Sequence, residues 1–243
     1  MWGFCLRSLL REYGWQFVRR VAVPHPLRTA RAVLAAGALD VSGHVTDVSP
    51  RGPGPRLEGA RSIVGLGFCL KPMDPPCPSG RPNHDCLYLE NLPESGGVTV
   101  PPACRRCAIG EIGTMTLRTG AAFYIMTSAR DILSDVFVPS LDRGSFSSGL
   151  FVLCRYSLRP FAVGLLASGI RGRLFSFEKG DCQDYRTWLL ADRGLKDEQT
   201  ALGERRYRTV RGLLDAARKE PPPASRFEKR GHVLHPRMAD GTT

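Results

Sequence analysis

The sequence predicts an α/β protein: an open, mostly parallel sheet of about four strands with crossover helices, flanked by N- and C-terminal helices. Three observations carry this. From Arg61 onward short apolar runs alternate with helical patterns, as in a parallel sheet with crossovers. Start and stop signals punctuate the helices, with Ser128 as an N-cap and Gly120 as a stop. A chain of 243 residues that is 42% apolar is enough for one good-sized core.

Residues 4–23 place Leu6, Leu9, Leu10, Tyr13, Phe17 and Val21 on one helical face and Arg7, Arg11 and Arg19 off it. Packing against the body is the expected use of this helix. A basic amphipathic helix carrying Trp2 and Trp15 also suits an anionic lipid surface, so peripheral membrane contact is the alternative. His25-Pro26 ends it, Leu27–Leu39 reads as a second short helix, and Asp47–Pro55, rich in Gly and Pro, reads as a linker.

The expected strands are 62–68, 121–126, 150–153 and 173–177, and the expected helices 104–118, 129–138, 158–167 and 185–191. A final basic helix over 197–219 is stopped by Pro221-Pro-Pro223, and the charged remainder reads as disordered tail. This divides the chain into an N-terminal helical segment with linker (1–58), a cysteine-rich α/β domain (59–192), a basic helix (193–220) and a tail (221–243).

No apolar run is long enough to span a bilayer, and Arg7 and Arg11 interrupt the stretch a secretory signal would need, so a cytoplasmic protein is expected. In a reducing compartment eight cysteines point to metal ligands, redox thiols or buried apolar thiols rather than to a disulfide framework. The net charge of +11 is concentrated in the flanks, leaving residues 61–192 nearly neutral. No helix-turn-helix or RNA-recognition pattern accompanies it, which argues against nucleic-acid binding.

Laid on this framework, Cys69 ends the first strand, Cys104 and Cys107 open the first helix, Cys154 ends the third strand and Cys182 follows the fourth. All fall at the carboxyl edge of the sheet, where loops of open α/β sheets converge on a crevice. In Cys104-Arg-Arg-Cys107 a helix N-terminus and two arginines favour thiolate, the form that binds metal and also the redox nucleophile. The metal ligands expected are Cys69, Cys104, Cys107 and Cys154, with Cys77, Cys86, Cys182 and His84 as further candidates. Cys77 and Cys182 are cofactor-binding or redox thiols, and Cys5 reads as inert. So many thiols exceed one zinc site, so an iron–sulfur cluster leads, with structural zinc in an interaction module and a Cys104/Cys107 thiol oxidoreductase as alternatives. Arg155 and Arg159 could hold an anionic substrate in the crevice, and a redox partner protein is the other expected partner.

The order of five pieces resembles the family known as domain of unknown function 116. They are Phe68-Cys-Leu70, Cys77-Pro78, Cys104-Arg-Arg-Cys-Ala-Ile-Gly-Glu-Ile112, Phe151-Val-Leu-Cys154 and Gly180-Asp-Cys182. The resemblance covers about residues 61–185 and implies a cysteine-rich α/β domain with a metal or iron–sulfur centre, without naming a reaction. Cys86 and the segment Arg81–Asp85 depart from the family pattern.

Overall fold

The computed structural model describes residues 12–49, 56–57, 59–92, 100–219 and 224–238. Among these, seven strands form one mixed sheet: β1 (Val45–Val48), β2 (Ser62–Gly67), β3 (Ala122–Met126), β4 (Ser148–Leu153), β5 (Arg171–Ser176), β6 (Ala224–Arg230) and β7 (Val233–Met238), in the order β1-β5-β4-β2-β3-β7-β6. The four central strands run parallel, and β1 and the β6–β7 hairpin add antiparallel edges. The α/β class matches the expectation; the expected sheet of about four mostly parallel strands is corrected to a mixed sheet of seven among the described residues. The sheet is wider, because both chain flanks contribute to it.

The central strands are apolar at almost every position because helices cover both sides of the sheet. Val64, Leu66, Phe123, Ile125, Leu150 and Val152 face one core, while Ile63, Tyr124, Phe151, Leu153 and Leu174 face the other. The first core is closed by α4 (Ala108–Thr119) and α9 (Glu204–Ala217). The second is closed by α1 (Glu12–Phe17), α2 (Pro26–Gly37), α5 (Ala129–Ile132), α6 (Val138–Arg143) and α7 (Leu158–Ser168).

α5 and α6 form one path joined by a π-type turn at Leu133–Phe137. Pro139 follows that turn and has no N–H to continue the regular ladder. The helix begins at Ser128, whose hydroxyl accepts the Asp131 amide at 3.1 Å. α4 ends at Gly120, which adopts φ +76°, a conformation glycine reaches without a Cβ clash. Two short helices complete the set: α3 (Leu87–Glu90) and α8 (Tyr185–Asp192).

Three further expectations are corrected. The helix at the cysteine pair begins later: Cys104 closes a 3₁₀ turn (Pro102–Cys104), Cys107 is the N-cap, and the helix proper starts at Ala108. The last helix spans Glu204–Ala217 rather than 197–219, because Gly203 at φ +80° breaks it from the segment before. The supposed tail supplies β6 and β7, turned by Gly231 at φ +62° and anchored by buried Phe227, Val233 and Leu234. Residues 4–11 of the expected first helix, the linker stretch 50–55 and residues 239–243 lie outside the described residues.

The chain passes from β2 through α4 to β3 on one side, then through α5 and α6 to β4 on the other side of β2. The strand order therefore reverses between β2 and β4, and the crevice beyond their carboxyl ends is the topological switch point.

α4 reaches α3 closely only because it carries glycine there: a Cβ on Gly113 would lie 2.4 Å from Leu89 Cδ1. Leu89 is fully buried and has nowhere to move. Ala in a helix interior normally gains about 1 kcal/mol over Gly, whereas overpacking costs about 1–3 kcal/mol. Gly113→Ala should therefore lower stability by up to about 2 kcal/mol, read as a lower urea midpoint at unchanged m-value.

Candidate metal centre and neighbouring thiols

The segment leaving β2 turns through a buried 3₁₀ helix, Phe68–Leu70, which delivers Lys71 into the interior at 1% exposure. Its ammonium donates to Gly80 O at 3.0 Å, to Asn83 O at 3.0 Å and to Asn83 Oδ1. A buried charge must find such oxygens, so Lys71 gathers the Pro-rich loop around itself. The loop is tightened further by Cys77 N donating to Pro72 O and Gly80 N to Cys77 O, both at 3.0 Å. Asn83 Oδ1 also accepts the Asp85 amide, and Ser79 Oγ accepts the Leu87 amide.

This folding brings Cys77 and Cys86 to Cys104 and Cys107. All four, with Lys71, line one enclosed pocket whose void is about 10 Å³. Cys86 is buried, its amide bonded to Glu90 Oε1 at 2.9 Å. Glu90 and Asp85 are in turn held by Lys229 of β6, so the C-terminal hairpin braces this cysteine. Cys107 sits at the N-terminus of α4.

Burial pushes the Cys86 thiol up to about 11, with Cys107, Cys77 and Cys104 adding to the rise and the Leu89 amide opposing it. Burial also raises Cys107, opposed by the amides of Gly110 and Ile109 and by Lys71. Cys104 is raised by burial and by Cys107 and Cys77. Without a cation, thiols so placed stay protonated; a metal ion reverses that by binding the thiolates. Burial depresses Lys71, and Cys77, Cys86, Asp85 and Cys107 pull it back towards the charged form.

The remaining expected ligands lie elsewhere. Cys69 and Cys154 line a second cavity of about 90 Å³ at the switch point, between the ends of β2, β3 and β4. The Cys182 sulfur is 3.1 Å from that of Cys154. The expected quartet Cys69, Cys104, Cys107 and Cys154 is thus divided: Cys104 and Cys107 join Cys77 and Cys86, and Cys69 joins Cys154 and Cys182. Cys5 lies outside the described residues.

His84 is in neither group. Its Nδ1 donates to Ile125 O at 2.7 Å and its Nε2 meets Thr127 Oγ1 at 2.9 Å, fixing the loop to the end of β3. His84, Asp135 and His232 bring ligand atoms within 4.8 Å of one another, the one such group among the described residues. The two imidazoles, however, stack at 4.1 Å and 8°, so their in-plane lone pairs run side by side rather than converging.

Arg159 donates to Leu39 O at 3.4 Å, tying α7 to the end of α2, and Arg155 is exposed; neither lines the crevice cavity expected to hold an anion. Sequence reasoning passed over Lys71 and Arg81. Arg81 donates to Lys196 O, Cys69 O and Glu198 O at 3.2–3.5 Å and ties the cysteine loop to the segment beyond α8. Their signal was their position beside the cysteines.

Lys71→Met would remove the Lys71 donor from Gly80 O and Asn83 O and leave Asn83 Oδ1 with the Asp85 amide alone. A cost of about 3 kcal/mol follows from losing charge-assisted bonds to a buried ammonium. The checks are the chemical denaturation midpoint and faster hydrogen exchange confined to residues 77–91. No family model, no curated protein and no solved structure matches this chain, so a functional reading rests on the geometry of its own residues.

Proposed function

We propose that Cys77, Cys86, Cys104 and Cys107 hold an iron–sulfur cluster, and that the protein serves electron transfer or cluster-dependent catalysis. The observation that carries this reading is the convergence of four cysteines, from three separate stretches, on one enclosed pocket beside a buried lysine. Four thiolates are the usual ligand set of a cubane cluster, which supplies one-electron redox chemistry. Four thiolates about 2.3 Å from one zinc ion would lie within ~4 Å of one another. No three of these sulfurs fall within 4.8 Å of one another, so they are not drawn together as a single zinc ion would hold them.

The protein's own residues would do three things. The four thiols give up their protons on binding. The Lys71 ammonium offsets part of the negative charge, and the amides of Ile109 and Gly110 donate to the Cys107 sulfur; both effects favour the more reduced, more negative state. Cys104, half-buried, borders an open groove that also carries Arg105, Arg118, Arg211 and Arg218 beside Glu111 and Asp215. This is the face on which an acidic redox partner would dock.

The second reading is a structural zinc site, favoured by the small void of about 10 Å³. Anaerobic purification with iron, sulfide and zinc analysis separates the two. The proposal expects about four iron and four sulfide per chain with visible charge-transfer bands. Alanine at Cys77, Cys86, Cys104 or Cys107 should abolish both, while alanine at Cys69 or Cys182 leaves them. Stoichiometric zinc and a featureless visible spectrum would sink the cluster.

Because binding displaces protons from thiols whose affinity for them is raised, metal retention should also weaken as pH falls. Metal content after dialysis at stepped pH from 8 towards 5 measures this.

A further inference from the structure

Among the described residues the proposed metal centre leaves three thiols unused, Cys69, Cys154 and Cys182, and two of them meet. Cys154 follows β4 and Cys182 lies in the loop after β5, yet their sulfurs are 3.1 Å apart. A disulfide needs about 2.05 Å, so roughly 1 Å of approach separates the pair from a bond. The backbone holds them in register: Asp181 Oδ1 accepts the Arg155 amide at 2.9 Å, pinning one loop to the other. Gly180 makes the turn at φ +63°, where a Cβ would meet Gln199 O at 2.6 Å.

The environment of the two sulfurs differs. Cys182 is 1% exposed and faces the buried Lys196, whose ammonium lies 3.9 Å from the sulfur and also donates to Gly180 O. The Cys154 S–H donates to the same sulfur, so Cys182 is the side that carries negative charge. The directions agree: the hydrogen bond from Cys154 and the charge of Lys196 lower Cys182, opposed by burial, while Cys154 is held as the thiol. Cys154 lines the 90 Å³ cavity, whose walls include Phe68, Met126, Phe161, Phe177 and Trp188. Cys69 lines it too, and burial pushes its thiol up to about 11; unlike the Cys154 S–H, it donates to no neighbouring sulfur among the described residues that could take its proton, so it does not compete as the nucleophile.

We propose that Cys154 and Cys182 are a reversible dithiol/disulfide couple that exchanges two electrons with a small, apolar disulfide or thiol held in the cavity at the switch point. Cys154 sulfur attacks one sulfur of R–S–S–R as its proton passes to the Cys182 thiolate. A mixed disulfide forms, the R–S–S–R bond breaks, and the departing RS⁻ takes the proton back from Cys182 to leave as RSH. The Cys182 thiolate then attacks the Cys154 sulfur, forming the internal disulfide and expelling the second RS⁻. The two protein sulfurs are oxidised and the external disulfide is reduced. Run backwards, the same steps oxidise two small thiols. None of the four proposed metal ligands takes part, so the couple stands or falls independently of the cluster.

The test uses the full chain, handled anaerobically and equilibrated in graded mixtures of reduced and oxidised dithiothreitol. After acid quench and denaturing alkylation, peptide masses report each cysteine, and metal content is read on the same samples. The expected result is that Cys154 and Cys182 lose alkylation together, at one midpoint, with a linked peptide joining them. Diethyl disulfide should yield two equivalents of ethanethiol per chain, and none with Cys154→Ser. Lys196→Met should slow that exchange about tenfold at pH 7 and move its pH profile upward, with Lys196→Arg restoring part of the rate. Independent alkylation of the two cysteines at every ratio, or a linked peptide joining either to Cys69, overturns the proposal. Metal loss without loss of the pairing would count against the cluster alone.

Discussion

One buried ammonium sets the geometry of the cysteine-rich face. Lys71 is placed inside by the 3₁₀ turn that ends β2, and a charge in that position is tolerable only with its hydrogen bonds complete. Gly80 O, Asn83 O and Asn83 Oδ1 complete them, and their positions dictate the path of the loop. Cys77 precedes these oxygens and Cys86 follows them, so both cysteines are delivered by the same contact that satisfies the lysine. The helix macrodipole of α4 then adds partial positive charge beside Cys107. A site with positive charge on two sides and four sulfurs between suits an anionic metal–thiolate centre better than it suits four neutral thiols.

The same turn divides the chemistry. Cys69 and Lys71 are two residues apart, yet the first faces the cavity at the switch point and the second faces the four-cysteine pocket. A 3₁₀ turn rotates about 120° per residue, so positions two apart point in different directions, which separates the sulfur of Cys69 from the four-cysteine pocket. On the two readings proposed above, a metal-bound set of thiolates and a pair that opens and closes would each need its own sulfurs, and the division supplies them.

What was legible in the sequence was what local pattern controls. Uninterrupted apolar runs such as Ile63–Leu66 and Phe123–Met126 belong to strands covered on both faces, and they read correctly. Cys104-Arg-Arg-Cys107 read as a close pair at a helix start because both ligands and helix are local, although the 3₁₀ turn placed Cys107 at the cap. The edge strands were illegible for a physical reason. β6, the edge strand, carries Arg226, Glu228, Lys229 and Arg230, the composition by which edges avoid pairing with other chains, and β7 carries Pro236 beyond the residues that pair with β3. Composition therefore imitated a disordered tail, and Phe227, Val233 and Leu234 with the Arg230-Gly-His232 turn were the only countervailing signals. Cys86 read only as a further candidate, and its grouping with Cys77 was illegible because eight residues separate the two and the contact that closes that gap is a lysine from outside the loop.

Arg81 gives the two thiol groups a common mechanical element. It lies between Gly80 and Asn83, the residues that Lys71 holds, while its guanidinium grips the carbonyls of Cys69, Lys196 and Glu198. Lys196 is the group that faces the Cys182 sulfur, and Cys69 lines the same cavity as Cys154. The four-cysteine pocket and the thiol pair therefore hang from one loop, each link a hydrogen bond or a peptide neighbour, and the residues that fix the path between Cys77 and Cys86 also anchor the backbone that carries Lys196.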